Sequence, residues 1–86
     1  MTRYHWMRTC LHCNGQGRLL ILKDTSADKL YLHCEECEWG WRDPQATDNI
    51  KAAFLTLEEE FDTEVPPKEE IEKRGWGQYI SGFFDE

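Results

Sequence analysis

Long apolar stretches are missing from this chain of 86 residues. The longest unbroken aliphatic run, Leu19 to Leu22, is far too short to span a bilayer. The opening Met1-Thr2-Arg3-Tyr4-His5-Trp6 lacks an apolar signal core, so a cytoplasmic protein with no membrane contact is expected. Imidazoles are scarce, with His5, His12 and His33 the only three. No serine or cysteine is left over beside a plausible base, and no glycine-rich strand-to-helix loop offers to hold a nucleotide. An enzyme is therefore not expected. Positive charge is also short, ten Lys and Arg against seventeen Asp and Glu, for a net charge of −7 and a pI near 4.9. Neither a low-complexity linker nor an internal repeat, beyond two paired cysteine knuckles, divides the chain. Residues 1–86 read as a single domain.

What the chain does have is four cysteines in a telling arrangement. Cys10-Leu11-His12-Cys13 is followed, after twenty residues, by Cys34-Glu35-Glu36-Cys37. Two C-x-x-C pairs one hairpin apart can each fill two corners of a tetrahedron, which is the pattern of a structural zinc site. A disulfide framework fits poorly without a secretory signal, and a redox C-x-x-C would need a βαβ unit for which there is no room. Four thiolates also suit iron. With Cys10, Cys13, Cys34 and Cys37 as ligands the ion keeps no open position for water or substrate, so its expected role is to stabilise a domain near the size where a core alone is marginal.

Residues 3–9 read as a strand, with Tyr4 and Trp6 on one face and His5 and Met7 on the other. Asn14-Gly15-Gln16-Gly17 closes a turn in which Gly15 would let backbone amides approach the thiolates. Arg18 to Lys23 and Lys29 to His33 form a hairpin, and Trp39 and Trp41 share a face in a short further strand. Zinc ribbon thus spans 3–42. Beyond Asp43-Pro44, Asp48 suits an N-cap, and Ile50, Phe54, Leu57 and Phe61 fall on one helical stripe, predicting an amphipathic acidic helix over 48–62. Pro66-Pro67 breaks it, and short helices follow over 67–84, the first with Pro67 at its first position and Gly75 just past its end. The expected class is α+β: a small N-terminal zinc-ribbon antiparallel sheet followed by C-terminal helices.

The knuckles and their hairpin resemble the zinc ribbon, a fold used in transcription, translation, chaperones and scaffolding. Cys10 to Gly17 also fits the C-x-x-C-x-G-x-G repeat of the DnaJ-type chaperone zinc domain, although Trp39 stands where the second pair would need glycine. Over more of its length, from Cys34 to Trp41 and in Gly75-Trp76-Gly77-Gln78-Tyr79-Ile80, the chain resembles small acidic immunity proteins of bacterial toxin systems, including contact-dependent growth inhibition. That resemblance implies a protein that binds a delivered toxin domain and blocks it.

Charge divides unevenly. Residues 1–43 hold six basic and six acidic side chains, while residues 44–86 hold four basic and eleven acidic, the whole of the −7. An acidic surface can occupy the cationic cleft of a nuclease, with carboxylates standing where phosphates would. The candidate partner-binding residues are Glu58, Glu59, Glu60, Asp62 and Glu64, then Glu69, Glu70 and Glu72, with Trp76 and Tyr79 as aromatic anchors. The competing reading is a nucleic-acid-binding or chaperone-associated ribbon, in which Arg3, Arg8, Arg18, Lys23, Lys29 and Arg42 gather beside Trp6, Tyr31 and Trp41. The low pI weighs against nucleic acid.

Overall fold

The computed structural model describes residues 1–56 and 61–86. Its centre is the hairpin of β2 (Arg18–Asp24) and β3 (Lys29–Cys34), paired in continuous register from Leu19↔Cys34 to Asp24↔Lys29. Around it lie β1 (Arg3–Thr9), β4 (Trp39–Trp41), β5 (Ala53–Leu55), β6 (Thr63–Glu64) and β7 (Gly82–Asp85). All join one antiparallel sheet in the order β5-β4-β3-β2-β1-β7, with β6 also pairing to β2. Among the described residues, the only α-helix is α1 (Lys68–Lys73).

The run Leu19 to Leu22 becomes a strand buried on both sides, which is why it is apolar without alternation. Leu19 and Ile21 face Leu30, Leu32, Cys34, Trp41 and Ile71. Leu20 and Leu22 face Tyr31, with Tyr4, Trp6, Phe54, Phe61, Val65 and Phe84 packed against them. Asp24, only 2% exposed, closes the hairpin by accepting the amides of Ser26 and Ala27 at 3.0 Å each, and it meets the Arg42 guanidinium at 3.1 Å.

The expected C-terminal helices are largely overturned: the class is a β-sheet carrying one short helix. Where a helix over 48–62 was expected, a 3-10 turn covers Ile50–Ala52, with the Asn49 side chain, not Asp48, accepting the Lys51 amide at 3.0 Å. β5 follows and pairs with β4, Trp41↔Ala53 to Trp39↔Leu55. The sheet edge left by β4 explains the outcome. Pairing there satisfies backbone groups and sends Phe54 to Tyr31, 6.0 Å between ring centroids, whereas Ile50 of the supposed stripe stays 41% exposed. Leu57 of that stripe lies outside the described residues.

Over 67–84 the helical expectation holds only for α1 and a 3-10 turn at Gly77–Tyr79. Pro67 is the N-cap, one position ahead of the expected place, and Gly75 adopts φ +83°, the left-handed conformation that ends a helix. Gly82 to Asp85 is a strand, paired with β1 from Trp6↔Gly82 to Arg3↔Asp85. Phe83 and Phe84 favour strand, and Phe84 stacks on Tyr4 at 5.3 Å across the pair.

Candidate metal centre

β1 and β3 each run into a cysteine knuckle. Between Trp6 and Thr9 the register of β1 against β2 shifts, a bulge that turns the chain into the Leu11–Cys13 turn. Each knuckle ends on a residue with positive φ, Asn14 at 56° after the first pair and Glu38 at 62° after the second. Both leading cysteines, Cys10 and Cys34, are fully buried, and Cys13 and Cys37 are half-buried.

The four sulfurs lie within 4.8 Å of one another. Cys10 Sγ is 3.7 Å from Cys37 Sγ, and Cys13 Sγ is 3.6 Å from Cys34 Sγ. An ion held tetrahedrally at a metal–sulfur distance of about 2.3 Å spaces its sulfurs by about 3.8 Å. The cysteines are therefore positioned to hold a metal ion, and a full set of four sulfurs fits a closed, structural site.

Local backbone supports the thiolates. The Gly17 amide donates to Cys13 Sγ at 3.3 Å and the Cys37 amide to Cys34 Sγ at 3.4 Å. The glycine that matters for sulfur is thus Gly17 and not the expected Gly15, whose amide instead donates to the Cys10 carbonyl at 2.8 Å. A Cβ at Gly17 would stand 2.6 Å from Cys34 Sγ. In the bare protein, burial, reinforced by the neighbouring thiols, pushes the Cys10 thiol up to about 12. A bound cation reverses that preference, since only thiolates ligate and the positive charge compensates what burial penalises.

A clamp that sequence reasoning missed holds the knuckles together. Arg18 donates its backbone amide and Nε to Glu35 Oε2, at 2.9 and 2.6 Å, and Nη2 to Oε1 at 3.2 Å. The Arg18 guanidinium accordingly holds the Glu35 carboxyl below its ordinary pKa. On the other flank His12 stacks on Trp41 at 5.4 Å, and Trp41 Nε1 donates to the Asn49 carbonyl at 3.0 Å. No short motif announces either contact, since each joins residues distant in sequence.

The acidic candidates scatter. Glu58, Glu59 and Glu60 lie outside the described residues. Asp62 just before β6 and Glu64 within it are exposed, and Glu69 and Glu72 are exposed on α1. Glu70 is engaged internally, accepting from Lys23 Nζ at 2.9 Å and Arg74 Nε at 3.0 Å, and Arg74 also reaches Asp28 at 2.7 Å. This network ties α1 to the β2–β3 turn. Trp76 is half-buried against the core, and the half-buried Tyr79 accepts from Gln45 Nε2 at 3.3 Å.

No helix among the described residues is long and apolar enough to cross a membrane. The chain matches no family model, and it finds no match among the curated proteins and solved structures with which it was compared.

Proposed function

We propose that this protein is a zinc-stapled binding module that docks a basic protein and blocks it, as an immunity protein blocks a toxin nuclease in the bacterial cytoplasm. The observation that carries the reading is how its charges are disposed. Arg3, Arg18, Lys23 and Arg42, four of the six cations a nucleic-acid ribbon would need, are in ion pairs with this chain's own carboxylates. Asp62, Glu64, Glu69 and Glu72 are exposed and in no ion pair among the described residues. Half of the ten Lys and Arg side chains are thus tied up in ion pairs, and the unpaired carboxylates among the described residues outnumber the unpaired cations, Arg8, Lys29, Lys51, Lys68 and Lys73. Zinc is the metal that a closed four-cysteine site suits best, and its job here is folding and not chemistry. Glu70, Trp76 and Tyr79 act in this reading as supports for the acidic face.

A tagged, metal-loaded protein passed over its source lysate, with and without nuclease digestion, should retain one cationic protein that digestion does not remove and salt weakens. Joint charge reversal, Asp62→Lys with Glu64→Lys, should then lower its affinity by about tenfold. Unchanged affinity would sink the acidic-face reading. Recovery of RNA that vanishes on digestion would assign the chain to nucleic acid instead.

A further inference from the structure

A groove of about 390 Å³ opens where α1 begins against β1 and β7, walled by Arg3, His5, Pro67, Lys68, Ile80 and Phe83. This volume lies in the range of small-ligand pockets. His5 is 5% exposed, and its Nδ1 is buried without a hydrogen-bond partner. A buried polar atom of this kind is costly to leave unpaired, and native proteins seldom do so. Burial, then the charges of Arg3 and Lys68, hold the imidazole below its ordinary pKa against the opposing pull of Glu69 and Asp85. At neutral pH it is therefore uncharged and adds no third cation to the groove.

The remaining walls divide by chemistry. Arg3 commits Nε and Nη2 to Asp85, at 2.8 and 3.1 Å, which leaves the Nη1 edge of its guanidinium unused. Lys68 is in no ion pair among the described residues. Phe83 is 55% exposed with the Arg3 guanidinium 4.2 Å from its ring centre, an unusual exposure for so large an apolar ring. Ile80 and Pro67 add further apolar surface. Glu69 also borders the groove and repels a second negative charge.

We propose that this groove is a binding site for a monocarboxylate carried on a compact apolar body. The carboxylate lies between Lys68 and the unused edge of Arg3, and the body rests on Phe83, Ile80 and Pro67 beside the uncharged His5 ring. Two sources share this chemistry: a free small organic acid and the C-terminal carboxylate of a peptide ending in an apolar residue.

Amide spectra of the metal-loaded, full-length protein separate them. Phenylacetate should shift the amides of His5, Ile80 and Phe83 saturably below about 10 mM, and phenylacetamide should not. Lys68→Gln, an exposed change that leaves the fold intact, should weaken phenylacetate about tenfold. A blocked tripeptide ending in a free phenylalanine carboxylate, compared with its amide, distinguishes the sources. Binding tighter than phenylacetate and lost on amidation assigns the groove to a chain terminus, and weaker binding assigns it to a free acid. Absence of saturable shifts with either probe, or shifts that Lys68→Gln leaves unchanged, would overturn the proposal.

Discussion

The two faces of the sheet are closed by different means. One face holds the cysteines, and there Cys10, Leu19, Ile21, Leu30, Leu32, Cys34, Trp41 and Ile71 are each at most 3% exposed. On the other, the buried apolar cluster among the described residues is Leu20, Leu22 and Tyr31, and partly exposed side chains, most of them aromatic, cover it. Guanidiniums finish that cover, with Arg18 3.9 Å from the Phe84 ring centre and Arg42 5.0 Å from that of Phe54. A chain this short cannot bury two aliphatic faces fully. It closes one with a four-cysteine site and a helix, and lets rings and guanidiniums, which tolerate water at one end, cover the other.

Stripping metal from the four-cysteine site has the largest expected effect. Leu19 and Ile21 serve one face while Leu20 and Leu22, on the same strand, serve the other, so neither face can lose β2 alone. Structural sites of this type contribute about 10–16 kcal/mol, as much as the whole stability of a typical domain. Excess chelator should therefore abolish amide dispersion on both faces together. If the near-ultraviolet signal of Tyr31 and the shifts of Phe54 survived while those of Ile21 and Leu32 collapsed, the faces would be separately stable.

Single substitutions on the two faces should have smaller and unequal effects. Ile71 of α1 is fully buried on the metal face, and Ile71→Ala should cost about 2–5 kcal/mol in urea unfolding. On the other face Tyr31→Phe keeps the ring and removes a 2.8 Å hydrogen bond to Thr63 Oγ1, for about 1 kcal/mol. Equal losses would mean that one hydrogen bond on this face holds as much stability as a buried aliphatic side chain on the other.

Legibility in the sequence followed range. The metal ligands were plain because four cysteines in two C-x-x-C pairs encode a local geometry, and the strands at β1, β2 and β3 were plain from alternation and a bounded apolar run. Phe54 and Phe83 fit helical spacing in the sequence yet lie in strands. Helical spacing at Ile50, Phe54 and Phe61 is compatible with an amphipathic helix, but what decided the outcome was an unpaired edge at β4, set by residues ten or more positions earlier. Likewise β7 exists because β1, at the far end of the chain, offered its edge to Gly82–Asp85. Glu70 reads as a surface charge because Lys23, and the Asp28 that anchors its i,i+4 neighbour Arg74, arrive only in the fold.

The smallest effect lies at His5, on the metal face side of β1 but remote from the sulfurs, and it asks whether that face is dry to its margin. Burial keeps the native imidazole below its ordinary pKa, with Arg3 and Lys68 acting in the same direction and Glu69 and Asp85 against it. Below about pH 6.5 the unfolded chain takes up a proton that the native state refuses. The unfolded state then binds more protons, so this contribution is complete above pH 6.5 and is lost as the pH falls toward the native value. One proton limits the slope to about 1.4 kcal/mol per pH unit. Thiolate protonation also weakens the metal site in acid, but it does so equally in His5→Gln. The difference in urea midpoint between the two proteins should therefore change between pH 7.5 and 5.5, with His5→Gln losing less on acidification. Parallel lines would mean that water reaches the ring, and that the metal face is sealed only as far as Met7.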